Sequence, residues 1–116
     1  MEDYLSVQMR DYQREVFSVL LLDSKHQLLS YHELFQGSIN ETSVHPREVV
    51  KLVLGKNAAA VIVAHNHHSG VADPSSSDIA ITHKLRSALG LIDIPLLDHF
   101  IIGRGEITSL AEQGKM

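Results

Sequence analysis

The sequence contains no cysteine. A chain without cysteine forms no disulfides, builds no thiolate zinc site and has no cysteine nucleophile, which excludes several classes of small enzyme and binding module. Any metal ion that it binds must therefore be held by histidine, aspartate or glutamate. With 116 residues, 44% of them hydrophobic, the chain has the size and composition of one globular domain that can bury a modest core.

An excess of basic residues is also absent. The 10 lysines and arginines are outnumbered by 14 aspartates and glutamates, which gives a formal net charge of −4. Dedicated nucleic-acid-binding domains usually carry a basic excess, so direct DNA binding is disfavoured, although a local basic patch stays open. No apolar run approaches the ~20 residues of a membrane span, and the N-terminus MEDYLSVQMRDYQREV has no signal-peptide pattern. These absences predict a soluble cytoplasmic protein, or one domain of a larger protein, with no membrane partner.

Apolar segments alternate with polar turns in a pattern typical of an α/β domain. Residues 1–14 are polar and mixed and are predicted to form a lead-in segment, extended or briefly helical, while residues 15–116 form the domain. Strands are predicted over 15–23, 27–39, 58–66, 94–103 and 106–110, and helices over 43–57 and 73–92. The order is therefore β-β-α-β-α-β-β, and the predicted fold class is α/β: a single domain with a mixed β-sheet and flanking helices.

The stretch AHNHHSGVADPSSSDIA, residues 64–80, carries the residues that point to chemistry. His65 and His67 lie two positions apart at the carboxyl end of the predicted central strand, so their side chains project to the same side. Asp78 falls in the first turn of the next helix, which begins near the strand end, where open α/β sheets usually bind ligands. Two imidazoles and one carboxylate leave the fourth position of a tetrahedral zinc ion for water, as in catalytic sites.

Other residues of this stretch have simpler explanations. His68 points away from its neighbour His67 in an extended chain and is not predicted as a ligand. Asp73 precedes a proline and reads as a turn residue, and Ser75, Ser76 and Ser77 read first as helix caps. With eight histidines in the chain, a chance pair is common, so spacing alone leaves a metal site and a polar loop equally open.

The same stretch resembles a known metal motif. The pattern H-N-H-x-S-G-x-x-x-P-S-x-x-D is similar to the JAMM (MPN+/JAB) motif, His-x-His followed at a fixed distance by Ser-x-x-Asp, at His65, His67, Ser69, Gly70, Pro74, Ser75 and Asp78. The segments FQGSINETSVHPREVVKLVL, AAAVIVAHNH and LLDHFIIG resemble the bacterial RadC-like branch of that family, and the likeness covers nearly the whole chain. It implies the JAB/MPN fold, with cytidine-deaminase-like layering, and a Zn²⁺ ion held by His65, His67 and Asp78.

The resemblance also implies roles for further residues. In the family a glutamate just before the first strand activates the zinc-bound water, and Glu15 in EVFS fits that placement best, with Glu33 in HELFQG as the runner-up. Ser75 matches the family serine that helps to hold the water and the developing oxyanion. This branch usually has proline where His68 stands, and its loss is expected to loosen the loop without requiring the loss of a ligand. Asn66 is expected to orient a neighbouring loop and is assigned no catalytic role.

Such a site suits a zinc-dependent, metallopeptidase-like hydrolase that cleaves an amide or isopeptide bond of a peptide or protein substrate. The alternative is a DNA-repair-associated protein of the RadC-like family, with a non-peptidase or accessory nucleic-acid role and DNA-repair or replication partners. A catalytically silent scaffold also stays open. A zinc deaminase is set aside because its signature needs cysteines, and an HNH nuclease because its motif residues are spread along a ββα fold.

Two features of the complete protein stay open at this point. Exposed sheet edges favour a homodimer, although the sequence does not fix the oligomeric state. Proteins of the RadC-like branch commonly carry a helix-hairpin-helix segment ahead of this domain, and the resemblance leaves open whether such a segment precedes Met1.

Overall fold

The structure, a computed structural model, describes residues 1–9, 11–40 and 42–116. Within these residues the chain forms three helices and five strands. In chain order they are α1 (Glu2–Met9), β1 (Val16–Leu22), β2 (Leu28–Gln36), α2 (Pro46–Gly55), β3 (Ala60–Asn66), α3 (Ser76–Gly90), β4 (Leu96–Ile102) and β5 (Ile107–Ser109). The predicted order of strands and helices is confirmed, with α1 added ahead of it.

The strands form one mixed sheet in the order β2-β1-β3-β4-β5. Strand β1 pairs antiparallel with β2 and β3, β3 pairs parallel with β4, and β5 pairs antiparallel with β4 at the far edge. A parallel pair needs a crossover connection, and α3 supplies it between β3 and β4. Strand β3 is central and buried along its whole length. The loop that leads to α3 begins at its carboxyl end.

Each face of the sheet packs against helices. Helices α2 and α3 cover one face, where their apolar residues join the odd-numbered residues of β1 and β3 in one core; its helical members are Val49, Val53, Ile81, Leu85 and Leu89. Helix α1 covers the other face, where Leu5 and Met9 pack against the even-numbered residues of the same strands. Side chains alternate between the faces of a strand, so these two cores follow from two continuous apolar runs. No helix among the described residues combines the length and the apolarity that crossing a bilayer requires.

The segment predicted as a lead-in contributes to the core through helix α1. Leu5 and Met9 lie one helical turn apart and are both fully buried, at 0% and 1% exposure. The remaining residues of this short helix are mostly exposed, which explains why the segment reads as polar in the sequence. Residues 11–15 then lead from α1 into β1 without regular structure.

Gly103 marks a close approach between the end of β4 and the loop after β3. A Cβ atom at this position would lie 2.7 Å from the Gly70 carbonyl oxygen and 2.8 Å from the Ala72 nitrogen, both backbone atoms. We expect Gly103→Ala to lower the free energy of unfolding by about 1–3 kcal/mol, because backbone atoms cannot move aside as a side chain does. Urea denaturation measures this change.

Gly90→Ala is the matched control, since Gly90 ends α3 and a Cβ there would meet no atom within 4 Å. It should change the free energy of unfolding by less than about 1 kcal/mol, and in the stabilising direction. Equal stabilities of the Gly103→Ala and Gly90→Ala variants would contradict the packing described for Gly103.

Candidate metal centre

Strand β3 presents two imidazoles at its carboxyl end. His65 pairs with Phe17 of β1 and Ile101 of β4, and its side chain faces the α3 side of the sheet, where it is 1% exposed. His67 follows on the same side, and the centroids of the two rings lie 5.0 Å apart. The prediction that residues two apart on this strand would share one side is therefore confirmed.

Helix α3 brings the carboxylate of Asp78 to these rings. Asp78 is 1% exposed; its Oδ2 lies 2.8 Å from His67 Nε2, and its Oδ1 lies 3.1 Å from His65 Nδ1. The helix start fixes this orientation through a capping box. The Ser75 N–H donates to Asp78 Oδ2 at 2.8 Å, and the Asp78 N–H donates to Ser75 Oγ at 3.1 Å. The Ser-x-x-Asp spacing is thus the spacing of a capping box, which places the carboxylate at the N-terminus of the helix.

His65, His67 and Asp78 can together hold a metal ion. Each offers a ligand atom, and these atoms all lie within 4.8 Å of one another. His67 Nδ1 donates to the Val71 carbonyl oxygen at 2.9 Å, which leaves Nε2 free to coordinate, as is usual for histidine ligands. Among the described residues, buried His65 Nδ1 has no well-directed hydrogen-bond partner. An unsatisfied buried nitrogen next to a buried carboxylate is the arrangement expected of metal ligands in a metal-free protein.

The charges of this cluster are coupled. Burial alone would raise the pKa of Asp78, but the contacts of its carboxylate with the His65 and His67 rings and the hydrogen bond from the Ser75 N–H outweigh burial and hold that pKa well below the usual range. The Asp78 carboxylate correspondingly raises the pKa of His67, against the opposing effect of burial. The cluster therefore keeps its aspartate ionised, which is the form that binds a cation.

The two candidate glutamates lie on opposite faces of the sheet. Glu15 sits just before β1, and its Oε1 lies 2.9 Å from His65 Nε2, with the side chain 27% exposed. Glu33 pairs with Ser18 across β1 and β2 and accepts a hydrogen bond from the Tyr12 hydroxyl on the α1 side. The structure thus brings Glu15, and not Glu33, to the candidate ligands His65, His67 and Asp78.

Ser75 and His68 occupy different positions around the site. Ser75 is the N-cap of α3, as predicted, and its Oγ accepts the Asp78 N–H while its own hydroxyl proton stays available to donate. His68 is exposed, and it is not among the side chains that could hold a metal ion together. It lines one cavity with His67 and Arg104 and another with Glu15. Its absence from the metal-binding group agrees with the prediction that His68 is not a ligand.

Sequence reasoning missed a buried pair behind the site, His99 and Thr82, both 0% exposed. The Thr82 hydroxyl donates to the Asp78 carbonyl oxygen at 2.7 Å, so its oxygen can only accept at the 2.6 Å contact with His99 Nδ1. His99 therefore carries its proton on Nδ1, and the pair supports the first turn of α3. The signal in the sequence was one imidazole inside the apolar run LLDHFIIG.

Buried His99 is expected to make the stability of the metal-free protein depend on pH. Burial lowers the pKa of His99 to about 3, below the value of about 6.5 in an unfolded chain. Stability that is complete above about pH 6.5 is therefore lost as the pH falls, by up to about 1.4 kcal/mol per pH unit from this group. We expect His99→Asn, which keeps a donor near Nδ1, to lose less unfolding free energy than the wild type as the pH falls. Urea denaturation at about pH 7 and about pH 4.5, with chelator present, measures this loss.

His83→Asn is the control for this measurement, because His83 is an exposed histidine of the same helix that carries Thr82. This variant should lose as much stability between the two pH values as the wild type does. If His99→Asn loses as much stability between the two pH values as the wild type, buried His99 is not the source of the dependence.

Comparison with known proteins agrees with this geometry. The family model of the RadC-like JAB domain matches residues 1–115. The chain is 59% identical over 113 residues to a UPF0758 protein of Idiomarina loihiensis, which covers 97% of this chain and 50% of that protein. It is 58% identical over 114 residues to a UPF0758 protein of Pseudomonas fluorescens, with 98% and 51% covered. The chain spans about half the length of the curated relatives it matches. As the histidine and aspartate motif predicted, this chain belongs to the RadC-like JAB domain family.

Proposed function

We propose that the chain is a zinc-dependent hydrolase of metallopeptidase type that cleaves an amide or isopeptide bond in a peptide or protein substrate. One observation carries the proposal: a second carboxylate, that of Glu15, lies 2.9 Å from the ligand His65 and still reaches solvent. A purely structural zinc site closes all its positions with protein ligands, whereas a catalytic site has three such ligands and a neighbouring acid–base group.

The donor set suits zinc, which accepts imidazole nitrogen and carboxylate oxygen in tetrahedral sites with one open position. When bound, zinc supplies Lewis-acid activation of water and polarises the substrate carbonyl. Glu15 Oε1 takes the proton of the attacking water and returns it to the leaving nitrogen as the carbon–nitrogen bond breaks. The Ser75 hydroxyl, whose proton the capping box does not use, donates to the oxygen on which negative charge develops.

Two measurements on the 116-residue protein test this proposal. Protein purified without chelator should contain stoichiometric zinc, and it should hydrolyse members of a set of peptides and isopeptide-linked substrates in a chelator-sensitive way. The variant His67→Ala should lose both properties. Absence of zinc, or hydrolysis that His67→Ala leaves intact, would overturn the proposal. Bound zinc without any amide hydrolysis, together with salt-dependent DNA binding, would favour the accessory nucleic-acid role instead.

A further inference from the structure

Asn66 stands between the two histidine ligands on β3, yet its side chain points to the opposite face of the sheet, where it is 7% exposed. Its Oδ1 accepts the Val16 N–H at 2.7 Å, and its Nδ2 donates to the Arg14 carbonyl oxygen at 2.9 Å. The acceptor and the donor of the Asn66 amide therefore both bond to the backbone of the two residues that flank Glu15.

These contacts extend the sheet beyond its last backbone pair. The β1–β3 ladder ends where Phe17 faces His65, and the side-chain amide of Asn66 then takes the place of one further peptide group. On the other side, the Glu15 carbonyl oxygen accepts the Gly37 N–H at 3.0 Å. The backbone around Glu15 is thus held from both neighbouring strands, as it would be inside a regular sheet.

Side-chain contacts fix Tyr12, which packs against the α1-side core and forms hydrogen bonds with Tyr31 and Glu33, whereas Gln13 and Arg14 are exposed. Residues 11–15 have no regular structure, and cavities border them on two sides. One cavity includes Tyr12, Arg14 and Glu33 in its lining, and the other includes Arg14, Glu15 and His68. The hydrogen bonds to the backbone next to Glu15 therefore contribute strongly to where its carboxylate lies.

We propose that Asn66 is a positioning residue that holds the Glu15 carboxylate against His65 Nε2. The position requires a donor and an acceptor on one short side chain, and asparagine provides both. The catalytic meaning of this inference rests on the proposed function, in which Glu15 is the acid–base group. The positioning itself does not, and it can be measured in the metal-free protein.

The test is solution NMR on metal-free protein, with amide hydrogen exchange at Val16 and the ring signals of His65 as readouts. In Asn66→Ala both hydrogen bonds are lost, so Val16 exchange should accelerate by about tenfold or more relative to the core amides. The His65 ring signals should move toward those of Glu15→Ala, which removes the Glu15 contact directly. Asn66→Asp keeps the acceptor for Val16 but loses the donor to Arg14, so it should keep the Val16 protection and still shift the His65 signals.

Ser109→Ala is the matched control, since Ser109 is a buried polar residue, 4% exposed, on the far edge of the sheet in β5. It should leave Val16 protection relative to the core and the His65 signals as in the wild type. The proposal is overturned if a folded Asn66→Ala protein keeps both wild-type signals. Where Asn66→Ala does not fold, wild-type His65 signals in Asn66→Asp overturn it equally.

Turnover separates this inference from the proposed function. If the chain hydrolyses amide bonds, Asn66→Ala should lower kcat by about tenfold or more with KM and zinc content unchanged. If it hydrolyses none while Val16 and His65 respond as expected, the positioning stands and the proposed function is wrong. If hydrolysis requires Glu15 but Asn66→Ala changes neither the Val16 exchange nor the His65 ring signals, the proposed function stands and the positioning role is wrong.

Discussion

Asp78→Asn is expected to weaken zinc binding by more than about 100-fold, which exceeds the loss usual for residues that only support a ligand. Asparagine has the shape of aspartate, and its side-chain oxygen can still accept the Ser75 N–H that completes the capping box. The change therefore preserves the start of α3 and removes the negative charge. The charge matters because the other two donors, His65 and His67, are neutral when they coordinate a cation.

Competition with a metal-sensitive chelator measures the zinc affinity, and circular dichroism checks that the fold persists. Asp73→Asn is the matched control, because Asp73 is an exposed aspartate of the same loop. That variant should bind zinc as the wild type does. If Asp78→Asn binds zinc within about tenfold of the wild type, Asp78 supports the site without being a ligand.

The parts of the site that the sequence predicted are those that local geometry determines. His65 and His67 share one side because strand side chains alternate, and Asp78 returns to them because a capping box ties it to Ser75 three residues earlier. Periods of two and of three to four residues are visible in any sequence. For the same reason the order of strands and helices along the chain was predicted correctly, as was a serine cap for α3, although the helix begins at Ser76 and not at residue 73.

The parts that the sequence could not predict depend on contacts between distant residues. The side-chain amide of Asn66 accepts a hydrogen bond from the backbone of Val16, 50 positions earlier, and the local sequence HNH does not predict that partner. His99 and Thr82 are 17 positions apart on different elements. Helix α1 has only two buried apolar residues, which is too weak a pattern to predict a core helix. The sheet face that they cover forms only when β1 and β3 pair. Pairing and packing between remote segments decide all three features.

The choice between the two glutamates also needed the fold. Resemblance favoured Glu15 over Glu33, and both precede or lie within strands of similar composition. In the sheet Glu33 shares a face with Ser18 and Tyr12, whereas Glu15 stands at the strand entrance beside His65. Since β1 and β2 are antiparallel neighbours with a register shift between Phe17 and Ser18, no counting along the sequence gives the face of Glu33 reliably.

Glu15→Gln is expected to lower the rate of amide hydrolysis by about 10²- to 10⁴-fold, which is the usual contribution of general acid–base catalysis. Glutamine fills the same volume and can still hydrogen-bond to His65 Nε2, so the site keeps its shape. It accepts no proton from water and has none to give to the leaving nitrogen. The loss should therefore fall on kcat, with zinc content unchanged, in steady-state kinetics combined with metal analysis.

Glu33→Gln is the control that makes this result specific, because it is the same substitution on the opposite face of the sheet. Glu33 binds Tyr12 and has no contact with His65, His67 or Asp78, so its replacement should leave turnover within a few-fold of the wild type. Loss of turnover in Glu33→Gln with normal turnover in Glu15→Gln would reassign the acid–base group to the α1 side. Normal turnover in both variants would mean that the reaction needs neither glutamate, and that the contact between Glu15 and His65 serves the fold.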